Sequence, residues 1–220
     1  MSFFVTMVDD SYQFTTAGYV AMILILIAVF VGAAALAQKG KQKKSMSARH
    51  LAFCAVSVAL AMVTSMIKLY SFPFGGSVTL FSMLFICLPG YFFGVGTGIL
   101  TAAAYGILQL IIEPYIYFTI QVIVDYVLAF GALGLSGLFC NAKHGLIKGY
   151  ITGIIGRYVF AVLSGWLFFG EYAWEGWNPL AYSLAYNGAY IFAEGVITVI
   201  VLMIPAVSKA LTQVKMQANE

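Results

Sequence analysis

Long apolar runs separated by short polar breaks make up most of the chain. The first run, Thr16–Ala37, contains no charged residue. A bilayer core of about 30 Å needs roughly 20 apolar residues per helix, so this run predicts a transmembrane helix. The later runs predict six more spans, over 48–70, 78–93, 94–113, 118–140, 149–170 and 180–206.

The composition supports a membrane protein and excludes other classes. Apolar residues form 62% of the sequence and charged residues 9%, and the mean hydropathy is +0.96. Because soluble domains carry roughly 25% charged residues, this chain cannot cover a water-facing surface. Disordered, coiled-coil, collagen-like and disulfide-rich secreted proteins are excluded by the same figures. We therefore predict an all-α integral membrane protein.

The basic residues predict how the spans are threaded. Nine of the eleven Lys and Arg residues lie in or beside the segments that a seven-span topology with an outside N-terminus leaves in the cytoplasm: Lys39, Lys41, Lys43, Lys44, Arg49, Lys143, Lys148, Lys209 and Lys215. The positive-inside rule then gives a multi-pass cell (plasma) membrane protein with a cytoplasmic C-terminus. Ala33–Ala37 imitates a signal-peptidase site, but acidic Asp9 and Asp10 precede the run, so we expect an uncleaved anchor. The net charge of +3 indicates no nucleic-acid partner, because topology accounts for it.

Three ionisable residues lie well inside predicted spans, where charge is costly and requires a reason. Helical rise places Arg157 and Glu194 at similar depth, which predicts a structural ion pair between them. Asp125 lies nearer the outer surface and has no obvious protein cation. It is the more informative of the three.

Other polar, small and aromatic residues reach the same outer layer as Asp125. They are Gln121, Tyr126, Gly165, Tyr182, Tyr186 and Asn187. A carboxylate with an amide and several aromatic rings suits a flat, cationic, aromatic ligand, which stacking and cation–π attraction would hold. The alternative is that Asp125 is neutral or caps a backbone group and that the tyrosines form an interfacial belt. Trp174 and Trp177 are likewise open to two interpretations, headgroup anchors or a lid.

Several chemistries have no visible apparatus in the sequence. A phosphate-binding loop and the short zinc-protease and serine-hydrolase motifs are missing, so we predict no enzyme, no metal site and no cofactor. Cys54, Cys87 and Cys140 lie in apolar runs without metal-ligand spacing and are interpreted as small buried hydrophobes. A channel would need a continuous polar stripe, and no span has one below the outer layer.

Six motifs occur in order between about Ala48 and Pro205. They are Gly75–Leu80, Tyr105–Gln109, Gln121-x-x-x-Asp125-Tyr126-x-x-Ala129-Phe130, Arg157-Tyr158, Ser164-Gly165-x-x-Phe168-Phe169-Gly170 and Tyr182-Ser183-Leu184-x-Tyr186-Asn187. This ordered set resembles the thiamine-specific S components of energy-coupling factor (ECF) transporters.

The resemblance implies a six-helix, substrate-binding membrane domain over 48–220 that captures thiamine from outside. Residues 1–47 are then an additional anchor and its linker. A transmembrane coupling subunit and two ATPase subunits are the implied partners, within the lipid bilayer. The implied substrate site comprises Asp125, Tyr126, Gly165, Phe169, Tyr182, Asn187, Gln121 and Ala161. The loop Ser71–Ser77 is the implied lid, and Ala55 and Ala59, one helical turn apart, are implied to face the coupling subunit.

The chain departs from the family pattern at two places in the site and at the N-terminus. Ala161 stands where the family typically has histidine, and Phe168 and Phe169 stand where some members carry tryptophan. A lost hydrogen bond is worth roughly 0.5–1.5 kcal/mol, so thiamine binding weakens by about one order of magnitude or the ligand is a related molecule, such as a thiamine precursor or another vitamin. A channel or a scaffold without transport coupling is the alternative from another class. The extra anchor, Thr16–Ala37, has no counterpart in the six-helix plan.

Overall fold

The computed structural model describes residues 5–8, 11–17, 20 and 47–220. Near the N-terminus, β1 (Val5–Val8) and β2 (Ser11–Phe14) pair as an antiparallel hairpin. The predicted anchor Thr16–Ala37 and its basic linker lie outside the described residues, apart from Thr16, Ala17 and Val20. Both stay predictions.

Seven helices and a second hairpin follow in the region from residue 47 onward. The helices are α1 (Ala48–Ser65), α2 (Ser82–Phe93), α3 (Val95–Ile112), α4 (Thr119–Phe139), α5 (Gly145–Phe168), α6 (Pro179–Met203) and α7 (Pro205–Asn219). The hairpin, between α1 and α2, is β3 (Lys68–Ser71) with β4 (Ser77–Thr79).

The helical membrane architecture predicted from the apolar runs is confirmed. Within the described residues, α1, α3, α4, α5 and α6 are each long and apolar enough to cross a membrane. The apolar helix α2 has 12 residues, which makes it about 18 Å long. It is therefore too short to cross a 30 Å core alone.

The hairpin corrects two predicted span ends. The sequence predicted helix over 48–70 and from residue 78, but α1 ends at Ser65 and α2 begins at Ser82. Lys68 instead pairs with Thr79, and Ser71 with Ser77, across the hairpin. Phe81 then has a positive φ of 64°, a conformation that a helix cannot continue through. Hydropathy alone does not distinguish apolar strand residues from apolar helix residues.

The tight turn predicted near Phe93-Gly94 is confirmed. Gly94 alone separates α2 from α3, and its φ is 93°. A residue with a Cβ is strained at such a positive φ, whereas glycine is not. The two helices therefore run back to back, and their other ends reach the hairpin side of the bundle.

The helices α2 to α5 form the centre of the bundle, and α1 lies at its edge. Large residues such as Tyr105, Tyr150 and Leu133 are fully buried in the core between them. In contrast, α1 leaves Leu51, Val56 and other apolar side chains exposed. At the end of the bundle away from the hairpin, α7 packs back on α2, and its Asn219 donates a hydrogen bond to the carbonyl oxygen of Phe92.

Candidate functional site

A cavity of about 350 Å³ lies under the β3–β4 hairpin, between α3, α4, α5 and α6. Its volume is within the range of small-molecule sites, roughly 300–1,000 Å³. All eight residues predicted for the substrate site line it: Asp125, Tyr126, Gly165, Phe169, Tyr182, Asn187, Gln121 and Ala161. The fold thus brings together residues that are spread over more than sixty positions of the sequence. That each of them contacts substrate stays a prediction.

Asp125 is held from one side by an amide. Gln121, one turn earlier on α4 and completely buried, donates from Nε2 to Asp125 Oδ2 at 2.7 Å. The same Nε2 donates to the carbonyl oxygen of Tyr115, and Gln121 Oε1 accepts from the backbone N–H of Tyr117. All the polar atoms of Gln121 are therefore engaged within the protein. Its position supports Asp125 and the loop 113–118 rather than offering free groups to a ligand.

The α4 backbone widens where Asp125 lies. Residues Ile123–Leu128 form π-helical turns within the otherwise α-helical beginning of α4. Such turns change the direction of side chains relative to a regular helix and are frequent at functional sites. Asp125 is half-buried and Tyr126 buried as a result. The sequence pattern gave no sign of this widening.

Tyr126 reaches the cavity with its ring but not with a free hydroxyl. Its Oη donates to the carbonyl oxygen of Glu113 at 2.9 Å and accepts from the backbone N–H of Tyr115 at 2.9 Å. Both groups belong to the loop between α3 and α4. Tyr126 therefore fixes this loop at the cavity wall.

Gly165 permits the close approach of α5 and α6 at the cavity. A Cβ on Gly165 would lie 2.3 Å from Ser183 Oγ and 3.1 Å from Asn187 Nδ2. Asn187, buried on α6, donates to the carbonyl oxygen of Ser183 and accepts from the hydroxyl of Tyr190 at 2.7 Å. Its amide is therefore oriented by its own helix.

Aromatic rings close the cavity on the side of the loops. Phe169, at the end of α5, packs against Tyr115, Tyr117 and Tyr172, with ring centroids 5.6–6.1 Å apart. Phe74 of the hairpin loop lies 4.5 Å from Tyr172. Burial raises the pKa of the Tyr115 phenol, so this ring stays neutral. A cation here would meet uncharged π-faces.

Sequence reasoning did not assign Tyr115 or Tyr117 to the site. Both lie between the predicted spans 94–113 and 118–140, where the sequence analysis assigned no function. The signal was the density of aromatic residues, Tyr115-Ile116-Tyr117-Phe118, in a loop directly before Gln121. An aromatic-rich loop directly before the polar residues of α4 is a sufficient reason to assign these tyrosines to the site.

Two tyrosines of α6 continue the aromatic wall and hold the hairpin. Tyr182 is stacked on Tyr186 with centroids 5.7 Å apart, and Trp174 meets Tyr182 at 5.5 Å. The hydroxyl of Tyr186 accepts from the backbone N–H of Gly76 at 2.9 Å and donates to the carbonyl oxygen of Pro73. Tyr186 is thus a latch between α6 and the loop over the cavity.

The predicted ion pair between Arg157 and Glu194 is wrong. Among the described residues, the one ion pair joins Lys68 of the hairpin to Glu113 at 2.9 Å. Glu194 accepts hydrogen bonds from Thr79 N, Thr79 Oγ1 and Met83 N, between 2.7 and 3.1 Å. It therefore caps the beginning of α2, where unpaired N–H groups and the helix dipole favour a negative charge.

Arg157 lines the same cavity as Asp125, but it lies against an aromatic face and forms no ion pair among the described residues. Its guanidinium carbon is 4.4 Å from the ring centroid of Phe130. Equal depth in the membrane was the basis of the predicted pair. Depth does not fix the rotation of a helix about its axis. In the structure, Glu194 is compensated by the hydrogen bonds from Thr79 and Met83, and Arg157 by the ring of Phe130.

Two further predictions concern alanines. Ala161 is buried and lines the cavity, so the position where the family typically has histidine offers only a methyl group here. Ala55 and Ala59 are exposed on α1. Their predicted contact with a coupling subunit stays a prediction.

The family profile described as "Thiamine transporter protein (Thia_YuaJ)" matches residues 51–214 of this chain. That match covers most of α1, all of α2 to α6, the hairpin and every residue of the cavity. The chain belongs to this thiamine transporter family. The resemblance inferred from the six motifs is thereby confirmed.

Individual members of the thiamine transporter family agree with the match. The thiamine transporter ThiT of Bacillus subtilis is 32% identical over 162 residues, which is 67% of this chain and 83% of that protein. ThiT of Lacticaseibacillus paracasei is 32% identical over 115 residues, 44% of this chain and 57% of that protein. A solved structure of ThiT from Listeria monocytogenes superposes with a TM-score of 0.60 at 27% identity, covering 71% of this chain and 94% of that one.

Membership of the thiamine transporter family also decides the general class. The chain is a multi-pass membrane protein of a transporter family, and the prediction that it is not an enzyme is confirmed.

Proposed function

We propose that this protein is the thiamine-binding S component of an ECF-type vitamin transporter. It captures thiamine in the cavity beneath the hairpin, and partner subunits supply the energy that moves the vitamin into the cell. The observation that carries the proposal is the Asp125 carboxylate, which lines an aromatic cavity in a chain of this family.

The charge of Asp125 suits the cationic vitamin. Gln121 occupies Oδ2, and within the described part of the chain no hydrogen bond reaches Oδ1. An intramembrane carboxylate with a free acceptor oxygen is costly unless a ligand or cation compensates it. Thiamine provides both a positive charge and an amino group that can donate. The amino-substituted ring is the part of the vitamin that we assign to Asp125.

The aromatic wall suits the other half of the vitamin. The thiazolium ring of thiamine is flat and positively charged, and π-faces attract such cations. Tyr182, Tyr186 and Phe169 line the cavity from α6 and the end of α5. A neutral ring in place of the thiazolium would lose the cation–π contribution. This difference supports selectivity for a cation.

The hairpin contains the part that has to move when substrate enters or leaves. Strand β4 is fixed to α6 by the two hydrogen bonds from Thr79 to Glu194, so the part that can open is the loop between β3 and β4. This loop is held by the two hydrogen bonds of Tyr186 and by the ring contacts of Phe72 and Phe74. Strand β3 adds the exposed ion pair between Lys68 and Glu113. Exposed ion pairs contribute little stability. Opening therefore requires breaking the Tyr186 latch rather than unfolding the bundle.

The exposed face of α1 is the proposed docking surface for the coupling subunit. Ala55 and Ala59 lie on this face, and small residues four apart allow two membrane helices to approach closely. The transmembrane coupling subunit and the two ATPase subunits are partners that we infer from the family. The same inference covers the orientation, with the cavity towards the outside and the C-terminus in the cytoplasm.

The division of the chain is also part of the proposal. Residues 48–220 form the substrate-binding domain, and residues 1–47 form the additional anchor with its basic linker. The family profile begins at residue 51, which is compatible with this division.

A related ligand is the second candidate, and Ala161 is the observation that favours it. A methyl group at this cavity position leaves space and removes a polar side chain that the family typically has. A thiamine precursor or another vitamin with a differently substituted ring would use that space.

Fluorescence titration of the purified chain in detergent distinguishes these candidates. Trp174 contacts the ring of Tyr182, so ligand binding beside Tyr182 should quench its emission. We expect saturable quenching by thiamine, weaker binding of its pyrimidine and thiazole halves, and no response to riboflavin. Tight binding of a half or of riboflavin, without binding of thiamine, would transfer the assignment to the second candidate.

Two tryptophan variants serve as controls for the source of the signal. Trp174→Phe should remove most of the quenching. Trp166→Phe should retain it, because Trp166 is exposed on α5 and, unlike Trp174, is not in ring contact with Tyr182 among the described residues. Equal loss of signal in both variants would show that the quenching does not report on the cavity.

A further inference from the structure

Ser164 on α5 carries a buried hydroxyl that has no hydrogen-bond partner among the described residues. Only 1% of this residue is exposed. Among the described residues, its Oγ and the hydroxyl of Tyr150 are the two buried side-chain polar atoms without a hydrogen-bond partner. Buried polar groups are nearly always paired, so each exception requires an explanation.

The position of Ser164 suggests what its partner is. The residue lines the cavity together with Ala161 and Gly165 of the same helix. It lies close enough to Asp125 to interact with that charge, yet the two side chains have no hydrogen-bonding geometry between them. Helix α5 therefore presents a hydroxyl to the cavity beside a carboxylate from α4.

The two side chains offer complementary hydrogen-bonding groups. Asp125 has Oδ2 occupied by Gln121, which leaves Oδ1 as an acceptor. The Ser164 hydroxyl can rotate to donate or to accept. An acceptor and a donor side by side match the edge of an aromatic ring on which an amino group stands next to a ring nitrogen. In DNA, asparagine and glutamine recognise a comparable edge of adenine, formed by the N6 amino group and the N7 acceptor.

We infer that Ser164 is a further ligand-binding residue, which reads the amino-substituted ring of the substrate together with Asp125. Asp125 accepts from the amino group, and Ser164 donates to the adjacent ring nitrogen. This assignment rests on the proposed function, because the aminopyrimidine of thiamine has such an edge. The ring nitrogen of the bound substrate is then the hydrogen-bond partner of the Ser164 hydroxyl.

The second unpaired hydroxyl provides a matched contrast. Tyr150 is fully buried in the core and does not line the cavity. A ligand in the cavity therefore cannot pair with it. The two hydroxyls share burial and the lack of a partner, and they differ in access to the ligand.

The test compares Ser164→Ala with Tyr150→Phe. We expect Ser164→Ala to weaken thiamine binding by about tenfold, the upper range for one neutral hydrogen bond. The melting temperature of the ligand-free protein should not fall, because no hydrogen bond within the protein is lost. Tyr150→Phe should leave the affinity unchanged. Thiamine affinity within twofold of the unmodified protein in Ser164→Ala would overturn the assignment.

A second variant and a second ligand remove the remaining ambiguity. Ser164→Cys keeps the size of the side chain but hydrogen-bonds weakly, so it should bind thiamine as poorly as Ser164→Ala. With the thiazole half of thiamine, which lacks the amino-substituted ring, the penalty of Ser164→Ala should shrink to less than twofold. An equal penalty for both ligands would mean that Ser164 does not read this edge.

The unmodified chain separates this inference from the proposed function. If it failed to bind thiamine, the proposed function would fall and the Ser164 assignment with it. If it bound thiamine and Ser164→Ala bound equally well, the assignment alone would fall.

Discussion

The two ends of the bundle are built in opposite ways. At the end with the Gly94 turn, helices meet backbone to backbone: a Cβ on Gly98 would lie 2.6 Å from the carbonyl oxygen of Gly134, and one on Gly137 would lie 2.4 Å from the carbonyl carbon of Gly94. At the hairpin end, the helices separate around a cavity of about 350 Å³. There, long polar and aromatic side chains fill the space between backbones.

One end of the bundle therefore provides rigidity, and the other provides the binding site. Small residues let membrane helices pack tightly without any hydrophobic driving force between them, so the Gly94 end is a fixed base. The hairpin end is held by side-chain hydrogen bonds such as those of Gln121 and Tyr186. These bonds can rearrange without disturbing the base. We therefore expect substitutions at the base to affect folding, and substitutions at the cavity to affect ligand binding.

The largest effect is expected from Gly134→Ala in α4. The new Cβ would lie 2.1 Å from the backbone nitrogen of Ile99, and no side-chain rotation can relieve a clash with backbone. The free energy of unfolding should fall by about 3 kcal/mol or more, the upper range for overpacking. Thermal unfolding in detergent measures it.

Gly131→Ala is the matched control on the same helix. A Cβ at Gly131 meets only Ala103 Cβ, at 4.0 Å. Stability should stay equal or rise by up to about 1 kcal/mol from the better helix propensity of alanine. Similar destabilisation by both substitutions would contradict the tightly packed base.

The largest effect on binding is expected from Asp125→Asn. The substitution removes the negative charge and a charge-assisted hydrogen bond worth about 1.5–3 kcal/mol. Thiamine affinity should fall by about 100-fold, whereas the melting temperature should change little. Fluorescence titration measures the affinity. The control is Glu171→Gln, which removes a charge from an exposed loop residue outside the cavity and should leave binding unchanged. An unaltered affinity in Asp125→Asn would remove this carboxylate from the site.

Tyr186→Phe tests the latch between α6 and the hairpin. It deletes both hydrogen bonds to the hairpin loop and retains the ring. The dissociation rate of thiamine should rise by about tenfold, since each bond contributes roughly 0.5–1.5 kcal/mol. Stopped-flow chase with excess ligand measures this rate. Tyr70→Phe, on an exposed position of the same hairpin, should not change it. Equal dissociation rates in Tyr186→Phe and the unmodified protein would show that the latch does not control release.

The smallest effect is expected from Ala161→His, which restores the residue typical of the family. One added hydrogen bond should tighten thiamine binding by about fivefold. Ala161→Leu fills similar space without a polar atom, so it should not tighten binding. If the histidine variant bound thiamine more weakly, the cavity of this protein would be adapted to a different ring.

Apolar runs and motif order were sufficient to predict the helical membrane fold, the family and eight of the residues that line the cavity. Asp125 was recognisable because an isolated carboxylate in a span has few structural explanations. The β3–β4 hairpin was not predictable, because Lys68–Ser71 is as compatible with a helix end as with a strand. The pairing of Glu194 was predicted incorrectly, because the sequence does not specify which face of α6 points to α2.

The sequence alone determined that this chain crosses the membrane and which side chains occur in its outer layer, because hydropathy and residue type are local properties. The tertiary structure decided which atoms are already paired and which are free. Gln121, Tyr126 and Asn187 look alike in the sequence as polar site residues, yet their hydrogen bonds are used within the protein. Among the described residues, Asp125 Oδ1 and Ser164 Oγ have no hydrogen-bond partner and are available to a ligand. The sequence could not show this, since hydrogen bonding depends on distances between helices that no single segment specifies.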